Sequence, residues 1–106
     1  MITIEKLLAT GYREYPATII DSWAICLLQK KVMYEGYESK VKYFINIYPS
    51  KVTGEISYTT KIRYYRGDDA MAFTLFTESI HTIKHIEQLA EEIWLKMGMD
   101  FDHHNN

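Results

Sequence analysis

His81 and His85 stand four residues apart, a spacing that puts two imidazoles on one helix face, as in a zinc site. The glutamate that serves as general base after the first histidine of a metalloprotease helix is replaced by Thr82, and no third ligand lies nearby in the sequence. Two solvated histidines at a helix start are therefore expected, not a metal centre. Asp100, Asp102, His103 and His104 crowd the C-terminal tail. Ordering such a tail costs about 1–2 kcal/mol per residue in backbone entropy, which favours adventitious over designed metal binding. Asp68-Asp69 follow Gly67, and the turn propensity of aspartate accounts for both without general acid–base chemistry. Cys26 lies in the apolar run WAICLL, where a thiol acts as a small buried hydrophobe and not as a nucleophile. No phosphate-binding glycine loop, nucleophile elbow or paired-cysteine motif occurs. We expect no catalytic residue, no resident metal and no cofactor, so the chain reads as a non-enzymatic protein.

A second class of chemistry, recognition, has more residues to work with. In KVKYFINIYPS, Lys40 to Ser50, the odd positions Val41, Tyr43, Ile45 and Ile47 read as a buried strand face. The even positions, Lys42, Phe44, Asn46 and Tyr48, mix charge, amide and aromatic rings. Lys61, Arg63 and Tyr65, with Ser57 and Thr59, alternate in the same way in the next expected strand. Aromatics interleaved with cations on an open sheet suit single-stranded nucleic acid, whose bases stack while cations track phosphates. The same surface suits a protein partner, as an aromatic centre with a charged rim. It equally allows a homodimer, across that face or along an edge strand. A third candidate surface is acidic: Glu87, Glu91 and Glu92 on the polar side of the last helix.

The elements that must position these residues follow from periodicity and punctuation. Thr3 caps a short helix from Ile4 to Ala9, stopped at Gly11. YREYP reads as a turn. A first strand is expected from Trp23 to Tyr34, then a hairpin turn at Glu35 to Glu38 and a second strand over the KVKYFINIYPS stretch, stopped by Pro49. After a loop at Ser50 to Gly54 come a third strand, Glu55 to Tyr65, a tight turn at Gly67-Asp68-Asp69, and a fourth strand, Ala70 to Phe76. Ile83, Ile86, Leu89, Ala90, Ile93, Trp94 and Met97 form one apolar stripe on a helix from about Thr82 to Met97, ended by Gly98. Short connections favour consecutive antiparallel pairing. The expected fold is α+β: a two-layer sandwich in which a four-stranded antiparallel meander is covered by the long C-terminal helix, with a short N-terminal helix. Residues 1–99 form one domain and 100–106 a flexible tail.

Bulk properties narrow the function further. The 47% apolar and 25% charged content is that of a folded domain. A net charge of −2 argues against a dedicated duplex-DNA binder. Charge is unevenly spread, however. Gln29 to Arg66 holds eight Lys/Arg against three Glu, while Gly67 onward holds eight acids against Lys84 and Lys96. Such a bipolar molecule suits a charge-complementary partner. The single cysteine and the lack of a signal-like N-terminus or membrane-length apolar run lead us to expect a cytoplasmic protein, in a host cell, without membrane association.

Several patterns resemble those of small phage-encoded proteins of unknown function: Gly11-Tyr12-Arg13-Glu14-Tyr15-Pro16 after a short helix, the Gln29-Lys30-Lys31 step, Lys42 to Tyr48, and an acidic helix closing near Ile93-Trp94. The resemblance implies a setting, in which small proteins bind and redirect or inhibit a host protein such as a defence nuclease. It carries no functional residue with it. The expectation is therefore an interaction protein that modulates a host protein through Lys42, Phe44, Tyr48, Lys61, Arg63 and Tyr65, or through Glu87, Glu91 and Glu92. The alternative is a single-stranded nucleic acid binder using the basic face.

Overall fold

The computed structural model describes residues 2–19, 22–66, 69–75 and 82–96, and for 37–39, 52, 65–66 and 69–75 the backbone alone. Helix α1, Ile4–Ala9, starts where the Thr3 hydroxyl accepts a bond from the Lys6 amide at 3.1 Å. Gly11 leaves the helix with φ +96°, a left-handed geometry that a side chain would strain. Strands β1 (Arg13–Pro16), β2 (Cys26–Tyr34), β3 (Tyr37–Val52), β4 (Glu55–Arg66) and β5 (Asp69–Leu75) follow, and helix α2 (Ile83–Lys96) closes the order. The strands form one antiparallel sheet in the order β1-β2-β3-β4-β5. The expected α+β meander is thus present, with α2 fourteen residues long.

Four local features differ from expectation. Arg13 to Pro16 is an edge strand, not a turn, and it pairs with Cys26 to Gln29. Its proline stands at the strand end, where a missing N–H is tolerated. The first long strand begins at Cys26: the Ile25 amide still donates to the Pro49 carbonyl at 2.8 Å, but Trp23 to Ile25 stay outside the ladder. Pro49 does not stop β3. Its carbonyl faces the β2 side, past the last β2–β3 pair at Leu28–Ile47, so its missing N–H would have pointed where no ladder partner stands. Finally, Val52 pairs with Glu55, which reduces the expected loop to Thr53-Gly54. Both residues have positive φ, 50° and 86°, as a tight hairpin turn requires.

The core lies between the sheet and the two helices. Tyr43, Ile45, Ile47, Leu28, Ile62 and Tyr64 supply it from the strands, Leu7 from α1, and Ile86, Ala90 and Trp94 from α2. Each large apolar side chain buried there contributes about 1.5–3 kcal/mol. The α2 stripe therefore holds the helix down and fixes which face of the sheet neither helix covers among the described residues; Asn46, Tyr48 and Ser50 on that other face are nonetheless buried. Thr60, buried completely between Ile47 and Leu75 in the ladder, has no hydrogen-bond partner for its hydroxyl among the described residues.

Candidate functional site

The residues singled out from the sequence divide between two places. One is the seam between α2 and the sheet. Glu87 and Glu91, one helical turn apart, turn toward the strands while staying partly exposed. Glu87 Oε1 accepts from Lys30 Nζ at 2.9 Å and from the Tyr12 hydroxyl at 3.3 Å. Glu91 Oε1 accepts from Lys42 Nζ at 3.0 Å, while its Oε2 accepts from the Tyr43 hydroxyl at 2.7 Å. Lys42 Nζ also sits 4.3 Å from the centre of the Trp94 ring, a cation–π contact. Each carboxylate thus receives one lysine and one buried phenol, and the repetition clamps the helix to the sheet.

The seam corrects two expectations. Lys42 does not belong to the uncovered face. Tyr43 pairs with Val32 but Val41 pairs with Met33, so β3 carries an extra residue there and Lys42 is turned to the helix side. Nor do Glu87, Glu91 and Glu92 form a free acidic face: Glu92 alone of the three is exposed.

The electrostatics of the seam favour a structural role over proton transfer. Burial, then the Glu87 charge, push the Tyr12 phenol far up; burial, then the hydrogen bond to Glu91, do the same for Tyr43. Both remain protonated donors. Burial works against the Glu91 carboxylate, but the Tyr43 and Lys42 hydrogen bonds outweigh it and hold the group below its ordinary value. Cys26 is buried, and burial followed by the Glu14 charge pushes its thiol up, away from thiolate chemistry. No group of three His, Cys, Asp or Glu that could hold a metal occurs among the described residues. His85 is exposed on the first turn of α2, its amide bonded to the Thr82 hydroxyl. His81, Asp68 and the tail from Asp100 lie outside the described residues.

The second place is the sheet face that neither helix covers. Cross-strand pairs share a face, so register places its residues. Arg13, Gln29, Asn46 and Lys61 form one row across four strands; Lys31, Phe44 and Arg63 form the next. Gln29 Nε2 donates to Asn46 Oδ1 at 2.9 Å, which locks the centre of the first row. Arg13, Lys31 and Arg63 are exposed, and Lys61 and Phe44 are half-buried. Among the described side chains, the carboxylate on this face is Glu55, at the far turn. Tyr48 pairs with Thr59 but is only 5% exposed, because Trp23 lies against it at 5.5 Å between ring centroids and Lys61 Nζ approaches its ring. Trp23 itself is 47% exposed, so it is the aromatic surface offered there. For Tyr65 the backbone alone is described, paired with Ala70.

Of the expected sheet residues, Phe44, Lys61 and Arg63 therefore come together, Tyr48 lies beneath Trp23, and Lys42 is elsewhere. Arg13, Lys31 and Trp23 join the face without having been singled out. The alternation of Lys31 with Gln29 was readable, but that of Arg13 required recognising β1. No described helix is long and apolar enough to cross a membrane. Comparison with protein-family models, with curated proteins and with solved structures found no match.

Proposed function

We propose that the chain is a non-enzymatic interaction protein that docks the uncovered face of its sheet on an acidic surface of a protein partner. The carrying observation is the distribution of charge. Arg13, Lys31, Lys61 and Arg63 share with Phe44 one face of a molecule whose net charge is −2, while Lys30 and Lys42 are tied to glutamates at the seam. Concentrating cations against the overall charge steers and orients an encounter with an acidic surface. Phe44 and Trp23 supply apolar area within that field. With Glu87 and Glu91 committed to the fold, the acidic helix face has little left with which to bind. The resemblance to phage-encoded proteins supplies the setting: modulation or inhibition of a host protein, a defence nuclease being one such target.

The second reading keeps the same face and changes the partner to single-stranded nucleic acid. What favours it is the second row, where Phe44 lies between Lys31 and Arg63, a ring flanked by phosphate-seeking cations. One experiment separates the two. Tagged wild type and the Lys61→Glu/Arg63→Glu double variant are each used to capture partners from bacterial lysate, with half of each bound fraction treated with nuclease. A stoichiometric protein band that survives nuclease and disappears with the double variant supports the leading reading. Bound nucleic acid, lost in the variant and with a strong dependence of affinity on salt, supports the second. Equal capture by wild type and variant removes the sheet face from both.

A further inference from the structure

β1 pairs with β2 from Cys26 to Gln29, but β2 runs on to Tyr34. From Lys30 to Met33 the outer edge of β2 has no strand beside it among the described residues, and no other described backbone bond reaches it. A bare strand edge presents unsatisfied N–H and C=O groups and templates the addition of another strand.

This edge is flanked by a hollow on each face of the sheet. On the helix side a hollow of about 370 Å³ is lined by Lys30, Val32 and Met33 over the buried Tyr43 and Ile45, and rimmed by Glu87 and Glu91. Both rim carboxylates are already matched by lysine and tyrosine donors, so the apolar surface the hollow offers is that of the half-buried Val32 and Met33. On the other side a hollow of about 220 Å³ is lined by Gly11, Arg13, Tyr15, Gln29, Lys30 and Lys31, with no carboxylate among the described residues. Side chains of a strand alternate between faces, so a strand added here sends every second residue into each hollow.

We propose that the β2 edge from Lys30 to Met33 accepts an extended partner segment in which acidic and apolar residues alternate. The acidic side chains meet Arg13 and Lys31; the apolar ones enter the hollow beneath α2. The backbone of the segment continues the line of β1. A second copy of the same edge is a poor occupant, because it would bring four lysines onto one short ladder. Register shifts after Val32 and after Met33 bend the far end of the edge, which keeps the added strand short. The inference rests on the reading that the partner is a protein and names the kind of segment it presents.

The probe is an acetylated, amidated eight-residue peptide of alternating glutamate and valine, titrated into isotope-labelled full-length protein. The expected result is saturable shifts of the amides of Lys30 to Met33, slower exchange at that edge, and at least tenfold weaker binding to Lys31→Glu. Two further peptides carry N-methyl groups, one on all glutamate and one on all valine nitrogens. In a strand all residues of one face point their N–H groups the same way, so one methylated peptide must lose binding and the other keep it. Equal binding of both methylated peptides reduces the interaction to charge and overturns the strand addition. So do shifts confined to Lys61 and Arg63, and so does an absence of binding up to ~1 mM, an affinity of only about −4 kcal/mol. The sheet-face reading is judged separately: if lysate capture depends on Lys61 and Arg63 but not on Lys31, that reading stands and the edge proposal falls.

Discussion

Removing the Glu91 carboxylate should cost far more than its place on a helix surface suggests. Glu91→Ala deprives the Tyr43 hydroxyl, on a residue only 2% exposed, of its acceptor, and a buried donor left unpaired costs about 1–3 kcal/mol. The Lys42–Glu91 pair adds less than about 1 kcal/mol, since the glutamate side chain is 39% exposed and solvent screens the pair. Alanine returns a few tenths of a kcal/mol in helix propensity. The net loss is about 2 kcal/mol, which for a urea slope of about 1–3 kcal/mol per molar moves the unfolding midpoint down by about 1 M. Glu92→Ala, one residue along and exposed, should stay within about 0.5 kcal/mol of wild type. A double-mutant cycle with Tyr43→Phe isolates the hydrogen bond and should return about 1 kcal/mol or more of coupling. The pH dependence has a fixed sign. Because the carboxylate is held below its unfolded value of about 4.3, its contribution is complete above that pH and fades as pH falls through the folded value. The gap between wild type and Glu91→Gln should therefore narrow in acid. If Glu91→Ala and Glu92→Ala unfold at the same urea concentration, the clamp reasoning is wrong.

Two further outcomes follow from buried hydroxyls. Tyr12 and Tyr43 are held above their unfolded value, so the stability they contribute is intact below about pH 10 and drains away above it, as the unfolded chain ionises first; urea midpoints taken across pH 8 to 11 should fall steeply in the last unit, and a flat profile would contradict the burial of both phenols. Thr60→Val removes a hydroxyl with no partner among the described residues and should raise stability by about 1 kcal/mol or more, read as a higher melting temperature; a lower one would mean that the hydroxyl has an acceptor.

The core was legible where one residue type served one purpose. Tyr43, Ile45 and Ile47 of β3 and Ile86, Ala90 and Trp94 of α2 are periodic because burial is periodic, and they took their expected core places; Val41 is not part of the core, since the extra residue at Lys42 breaks the alternation, and Met97 lies outside the described residues. The candidate site was legible only in part, since its residues depend on register. Lys42 alternates with Tyr43 like any strand residue, and nothing in KVKYFINIY marks the extra residue that turns it toward Trp94. Glu87 and Glu91 flank Ile86 and Ala90 at the border of the stripe, where a carboxylate reads equally as solvated or as a seam partner. Which it becomes depends on whether a lysine from the sheet stands opposite. Arg13 was missed for a different reason: Pro16 signals a turn locally, and only the presence of β2 beside it makes a strand edge the lower-energy state.

These misplacements share a consequence for how the molecule separates its charges. Had Lys42 stayed on the uncovered face and Glu91 on the outer helix face, both surfaces would carry unbalanced charge, and either could bind. The extra residue in β3 instead lets a cation from the sheet neutralise an acid from the helix, as Lys30 does with Glu87 one turn earlier. Beyond the seam, Arg13, Lys31, Lys61 and Arg63 gather on the face that neither helix covers. The fold and the proposed binding surface are thus coupled through one bulge. Reversing charge at Glu91 perturbs stability before it reports on recognition, whereas Lys61 and Arg63 lie outside the seam network and report on the face itself.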